Sequence, residues 1–164
     1  MKSLTAILID DESSSRNSLR HKLNNHCPGI TVLAECESGE EGIKAIQKLN
    51  PDIVFLDVEM PRMNGFVMLQ QLKDRNFELI FTTAYDHYAI RAIRFSALDY
   101  LVKPIEIKLL TEAVEKAKEK KQTGSTNQRV ETLLYNLIDE QNVHKRIAIP
   151  SLEGLQFIEV GDIR

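Results

Sequence analysis

Three aspartates, two threonines and a lysine each sit at the end of a short apolar run. Residues 6–9 lead into Asp10 and Asp11, and residues 53–56 lead into Asp57. The segment from Glu78 ends in Thr82 and Thr83, and residues 100–102 lead into Lys103. With a reference pKa of about 3.9, the three carboxylates are ionised near neutrality and repel one another if they meet. Such a cluster calls for a cation, and an all-oxygen donor set without a neighbouring His or Cys favours Mg²⁺ over zinc. One Mg²⁺ together with the Lys103 ammonium balances the three negative charges, so the site is neutral before substrate arrives. That suits phosphoryl transfer, where catalysis is mostly positioning and charge stabilisation. Asp57 is the candidate nucleophile and would form an acyl phosphate. Asp10 and Asp11 would hold the metal beside it, and the Thr83 hydroxyl and Lys103 would contact the remaining phosphoryl oxygens. Any one of these aspartates alone is an ordinary cap or loop acid; the case rests on all three occurring with Lys103.

These side chains meet only if the runs that carry them lie side by side in one direction. The intervening segments read as the required crossovers. Residues 13–25 carry Leu19 and Leu23 at helical spacing and stop at Cys27-Pro28-Gly29, and the β-branched stretch 30–36 is a second strand. Ser38 followed by Glu40 and Glu41 is a helix start, with Ile43, Ile46 and Leu49 as its stripe and Asn50-Pro51 as its stop. A loop over 61–65 leads into a helix with Val67, Leu69 and Leu72, and residues 78–83 form a fourth strand. Asp86 is placed to cap a helix carrying Ala89, Ile90 and Ile93. Beyond Lys103-Pro104, a fifth helix turns Leu109, Leu110, Ala113, Val114 and Ala117 inward. Five strand–helix alternations predict an α/β domain: a parallel sheet, doubly wound, ending near Lys121. Ligands of such sheets bind beyond the carboxyl ends of the strands, where the polar set lies if strands one, three, four and five are neighbours in that order.

Residues 122–127 are a polar linker, and Val130, Leu133, Leu134, Leu137 and Ile138 predict an amphipathic helix over 128–141. Its stripe fits packing within the chain or pairing with a second copy in a homodimer. Residues 146–149 and 156–160, separated by 150–154, predict a hairpin. A lone hairpin is marginal in water, so 145–164 reads as the opening of a second domain that breaks off. The division is thus 1–121, 122–144 and 145–164.

Composition is that of a soluble globular chain: 43% hydrophobic, 27% charged, net charge -3. Nothing in it advertises nucleic acid or membrane as a partner of the chain as given, and no leader or membrane-spanning run is visible. Cys27 and Cys36 fit no CxxC pair or disulfide framework and read as reduced thiols of a cytoplasmic protein. The four histidines are scattered, and the lysines of 116–121 read as a solvated helix end.

Four motifs occur in order at the expected strand ends. They are Asp10-Asp11; Asp57-Val58-Glu59-Met60-Pro61-Arg62-Met63-Asn64-Gly65; Thr83-Ala84; and Asp99-Tyr100-Leu101-Val102-Lys103-Pro104. Together they resemble the receiver domain of response regulators in bacterial two-component systems, over roughly residues 1–121. The resemblance implies a flavodoxin-like five-stranded sheet of order 2-1-3-4-5 and phosphorylation of Asp57 by a histidine kinase. It implies Mg²⁺ held by Asp10, Asp11, Asp57 and the backbone carbonyl of Glu59, and a cis Lys103–Pro104 peptide. Thr83 and Tyr100 would form the switch pair, Thr83 turning to the phosphoryl group and the Tyr100 ring moving inward. Glu59 and Tyr85 would flank the entrance, at positions that influence phosphoryl lifetime.

Residues 81–86 and 97–101 are similar to receivers of LytTR-type regulators, whose output is a mostly β DNA-binding domain; 145–164 resembles the opening strands of that domain. The implied protein is a switch, catalysing only its own phosphorylation and dephosphorylation, that regulates transcription through DNA binding by the missing part. Two alternatives stand beside it. One is a stand-alone receiver signalling by protein–protein contact. The other is a Mg²⁺-dependent phosphatase with an aspartyl nucleophile, which usually carries a second Asp where this chain has Glu59.

Overall fold

A computed structural model describes residues 3–123, 146–151 and 154–159. Strands and helices alternate as β1 (Leu4–Ile9), α1 (Ser13–His26), β2 (Ile30–Cys36), α2 (Gly39–Leu49) and β3 (Ile53–Leu56). They continue as α3 (Gly65–Gln70), β4 (Glu78–Thr83), α4 (Ala89–Arg94), β5 (Asp99–Val102) and α5 (Ile107–Thr123). The five strands form one parallel sheet in the order β2-β1-β3-β4-β5, the flavodoxin-like arrangement expected.

Successive residues of a strand point to opposite faces, so apolar strands buried on both sides build two cores. On one face Leu8, Phe55 and Ile80 pack with Leu19 and Leu23 of α1 and with Leu110, Ala113 and Val114 of α5. On the other, Ile7, Val54 and Phe81 pack with Ile46 of α2, Phe66 and Met68 of α3 and Ala92 of α4. The helix starts are locally encoded. The Ser38 hydroxyl accepts from the Glu41 N–H at 3.2 Å, and the Asn64 side chain accepts from the Val67 N–H at 2.9 Å. Asn50, at φ 47°, closes α2 in the left-handed conformation that Asn tolerates.

Several details differ from the periodicity reading. Leu109 is 43% exposed and Val67 38%, so the inner faces are Leu110, Ala113, Val114 and Ala117 in α5 and Phe66, Met68 and Leu69 in α3. A stripe of adjacent apolar residues spans more angle than the sheet can cover, and its edge stays wet. Asp86 does not cap α4. Helix α4 has six residues, its N-cap is Tyr88, and no side chain caps it. The chain spends 84–88 crossing the rim of the sheet before the helix begins.

Strands β6 (Arg146–Ser151) and β7 (Gly154–Glu159) pair antiparallel, with Pro150 opposite Leu155. The ladder is longer than the sequence pattern suggested, since a two-stranded ribbon has only edges, where proline is tolerated. The expected helix over 128–141 lies outside the described residues. Among the described residues, no helix is long and apolar enough to cross a membrane.

Candidate functional site

Parallel connectivity brings the carboxyl ends of all five strands to one edge, and backbone bonding continues one residue past three of them. The Asp10 N–H donates to the Cys36 carbonyl at 3.0 Å, the Asp57 N–H to the Ile9 carbonyl at 2.9 Å, and the Lys103 N–H to the Thr83 carbonyl at 2.7 Å. The residues that carry charge are therefore fixed by the sheet itself and not by a loose loop. The Lys103–Pro104 peptide is cis.

Asp10 and Asp57 are 5% and 4% exposed, and carboxylate oxygens of Asp10, Asp11 and Asp57 lie within 4.8 Å of one another. The Lys103 ammonium donates to Asp10 Oδ2 at 2.6 Å and reaches Asp57 Oδ2 at 3.3 Å. One ammonium against three carboxylates leaves the cluster short of positive charge, and Asp57 registers the deficit. Burial above all, with repulsion from Asp10, pushes its carboxyl up to about 6, although Lys103 and the Glu59 N–H work the other way. Burial alone would depress the Lys103 ammonium, yet the Asp10 hydrogen bond and the charges of Asp57 and Asp10 outweigh it and hold it above its ordinary value. An all-oxygen cluster with uncompensated negative charge fits a hard divalent cation.

Several supporting groups were not visible in the sequence. The Arg16 guanidinium donates to the Asp10 carbonyl at 2.6 Å and lies 3.9 Å from Glu35, which also pairs with Arg20. The Glu12 N–H donates to Asp10 Oδ1 at 2.9 Å. Together they tie the loop after β1 to β2. Gly65 was noted only as part of a motif, and its reason is spatial: a Cβ there would stand 2.6 Å from the Asp57 carbonyl oxygen. That contact is tighter than packed atoms allow, so only glycine lets α3 start against the Asp57 backbone.

Thr82 and Thr83 are buried, and the Thr83 hydroxyl accepts from the Tyr85 N–H at 3.4 Å. Tyr100 lies beside Phe81, 6.2 Å between ring centroids, and its hydroxyl donates to the Tyr85 carbonyl. Burial pushes that phenol well above its ordinary value. Glu59 and Tyr85 do sit near the rim, but the aromatic that touches Glu59 is Tyr88, whose hydroxyl donates to the Glu59 carboxylate. That bond, more than burial, raises the Tyr88 phenol pKa. Asp11, Glu59, Met60, Tyr88 and Arg91 line a groove of about 500 Å³ at the mouth of the cluster. A depression of similar size, lined by Ile46, Gln47, Asn50, Leu72 and Phe77, gathers no such carboxylates. The thiols of Cys27 and Cys36 are free and buried, and burial pushes Cys36 up to about 11, which leaves it a poor nucleophile.

Residues 6–115 match the family model described as response regulator receiver domain. An uncharacterized response regulatory protein of Yersinia pestis is 39% identical over 145 residues, covering 88% of this chain and 54% of that one. The transcriptional regulatory protein BtsR of Salmonella typhimurium is 31% identical over 156 residues, covering 94% of this chain and 65% of that one. The chain thus spans roughly half to two thirds of the length of these relatives. Among solved structures, the REC domain of AraT, a response regulator from Geobacillus stearothermophilus, superposes with a TM-score of 0.66 at 32% identity. That match covers 75% of this chain and 98% of that one.

Proposed function

The chain belongs to the response-regulator receiver family, and from that premise we propose that Asp57 accepts a phosphoryl group from the phosphohistidine of a kinase. An Asp57 oxygen attacks phosphorus, the P–N bond breaks, and its electron pair leaves with the imidazole, which then takes up a proton. The product is an aspartyl phosphate. Lys103, already within 3.3 Å of Asp57 Oδ2, is the group that follows the charge as it moves onto the phosphoryl oxygens. The Thr83 hydroxyl, at the end of the adjacent strand, is the second contact to those oxygens. Asp10, Asp11, Asp57 and the Glu59 backbone carbonyl are the groups that would hold Mg²⁺. When bound, the ion supplies the missing positive charge and a Lewis acid beside the phosphoryl oxygens.

The observation that carries this reading is the cluster of Asp10, Asp11 and Asp57 around a single lysine, with Asp10 and Asp57 fixed by the sheet and buried. Thr83 and Tyr100 form the switch in this proposal. If Thr83 turns toward a phosphorylated Asp57, it releases the Tyr85 N–H, and Tyr100 is bound to the carbonyl of the same Tyr85. The resulting bias falls on α4, β5 and α5. The output is transcriptional, in keeping with the named function of BtsR. The β6–β7 hairpin is the start of a LytTR-type DNA-binding domain, and the protein works in the cytoplasm.

The direct test is incubation with a small acyl phosphate and Mg²⁺, then intact mass measurement. The wild type should gain one phosphoryl group and Asp57→Asn none. No gain in the wild type, or an equal gain in the variant, would overturn the assignment.

A further inference from the structure

Asp10, Asp11 and Asp57 are not held alike. The N–H groups of Asp10 and Asp57 are tied into the sheet, but Asp11 stands one residue beyond the last of these bonds after β1 and is only half-buried. Its carboxylate joins the cluster by way of the Asp10–Asp11 peptide, which carries it out from the strand. A peptide unit is planar, so whatever fixes the Asp10 carbonyl also fixes the direction in which Asp11 departs. The Arg16 guanidinium does this, donating to that carbonyl at 2.6 Å from the first turn of α1. The guanidinium is itself held. Its side chain is 14% exposed, its Nε lies 3.9 Å from the Glu35 carboxylate of β2, and a planar fork has few orientations that serve both partners. Asp10 is bonded on its remaining sides as well, Oδ1 by the Glu12 N–H at 2.9 Å and Oδ2 by Lys103 at 2.6 Å. Every polar atom of Asp10 is therefore partnered, and Asp11 inherits its orientation from that fixed neighbour.

The geometry points to Arg16 as a positioning residue for the metal: by fixing the Asp10–Asp11 peptide it presets the Asp11 carboxylate beside Asp10 and Asp57, and so raises the affinity for Mg²⁺. This rests on the reading of the cluster as a Mg²⁺ site proposed above. Like charges turn away from one another when nothing holds them, and gathering them again for a cation costs part of the binding free energy. Asp10 and Asp57 have their backbones fixed by the sheet. Asp11 is the carboxylate left to turn, and the guanidinium removes that freedom before the ion arrives. Glu35 meanwhile offsets the charge of Arg16, so the arginine orients the ligand without strongly repelling the cation. Arg16 acts on the peptide that carries a ligand, as outer partners of metal sites do.

Mg²⁺ affinity can be read from the rise in thermal midpoint over a Mg²⁺ series at constant ionic strength. Arg16→Met, which keeps an apolar stem and removes the donor, should bind the ion roughly tenfold more weakly, the low end of what outer partners of metal ligands contribute. Arg20→Met removes the other arginine on Glu35, whose bonds go to Glu35 and Asn17, and should bind within about twofold of wild type. Glu35→Gln, which loosens Arg16 on its far side, should weaken binding by a smaller factor, and it carries the test if Arg16→Met does not fold. Phosphoryl uptake from a small acyl phosphate gives a second readout. Arg16→Met should need roughly ten times as much Mg²⁺ for its half-maximal rate and then reach the wild-type maximum, whereas a loosened fold lowers the maximum at any Mg²⁺ concentration. Wild-type affinity in the variant that carries the test, an equal loss in Arg20→Met, or a maximum that Mg²⁺ does not restore would overturn the role of Arg16 while leaving the metal site. No Mg²⁺-dependent rise in the wild type would remove the metal site and the role of Arg16 together.

Discussion

Asp52 and Asp57 stand just before and just after β3, and their surroundings pull their acidities in opposite directions. Asp52 Oδ2 accepts from the Thr5 N–H at 2.8 Å and the Thr5 hydroxyl at 3.1 Å, while its other oxygen pairs with the Lys121 ammonium. Burial tends to raise its pKa, but Lys121 and Thr5 together hold the carboxyl below its ordinary value. Asp57 shares one lysine with Asp10, gains only a long contact from the Glu59 N–H, and is pushed up to about 6. The contrast separates a carboxylate that fastens the fold from one kept ready for a reaction. The first has its lone pairs and charge satisfied by protein; the second is satisfied only in part, by two long contacts, leaving room for a metal and a phosphoryl group.

The largest test of this contrast is a pair of isosteric substitutions. In chelator at pH 8, Asp57→Asn should stabilise the protein by about 2 to 3 kcal/mol, since a carboxyl raised from an ordinary 3.8 to about 6 opposes folding when ionised. Asp52→Asn should destabilise it, by about 1 kcal/mol, through loss of a charge-assisted contact. Urea denaturation gives both values, and equal signs would break the comparison. The pH dependence follows with a definite sign. Protonated Asp57 favours the fold, so its contribution is full below about 3.8 and lost as pH rises through about 6. Asp52 behaves oppositely: its contribution is present above the ordinary carboxylate pKa and lost as pH falls through its depressed value. Denaturation of Asp57→Asn across pH 4 to 7 should lack the wild-type decline.

Gly65→Ala should cost about 2 kcal/mol in thermal or urea unfolding, because the added Cβ meets backbone and not a flexible side chain. It should also slow phosphoryl uptake by moving Asp57. Mg²⁺ at about ten times its dissociation constant should stabilise the wild type by about 1.4 kcal/mol. That shift should vanish in Asp10→Asn and persist in Asp52→Asn; a calorimetric scan with and without the ion decides it. The smallest effect belongs to Lys121→Met, about 0.5 kcal/mol, since this ammonium is partly exposed and screened. A larger loss in urea than Asp52→Asn produces would show that Lys121 does more than satisfy Asp52.

Much of the site was legible because a parallel sheet turns one-dimensional order into spatial coincidence. A polar residue immediately after each apolar run must land at the same edge, so Asp10, Asp57, Thr83 and Lys103 could be grouped before any coordinates. Capping was equally local at Ser38 and Asn64, where the acceptor and donor are three residues apart. It failed at Asp86, because the start of α4 is set by the packing of Tyr88 on Phe66 and not by the nearest capping side chain. Arg16, Tyr88 and Lys121 were missed for a common reason. Each acts through a long side chain whose partner is decided by which elements pack together, and no spacing rule reports that.

The sequence by itself determined the strand–helix alternation, the strand that each reactive residue follows, and the family, since these depend on local pattern and chain direction. Only the tertiary structure decided which of the two aspartates flanking β3 is satisfied and which is left poised. Burial and charge compensation are sums over neighbours from β1, α5 and the loops after β3 and β5, and those sums exist only once the chain has closed around them.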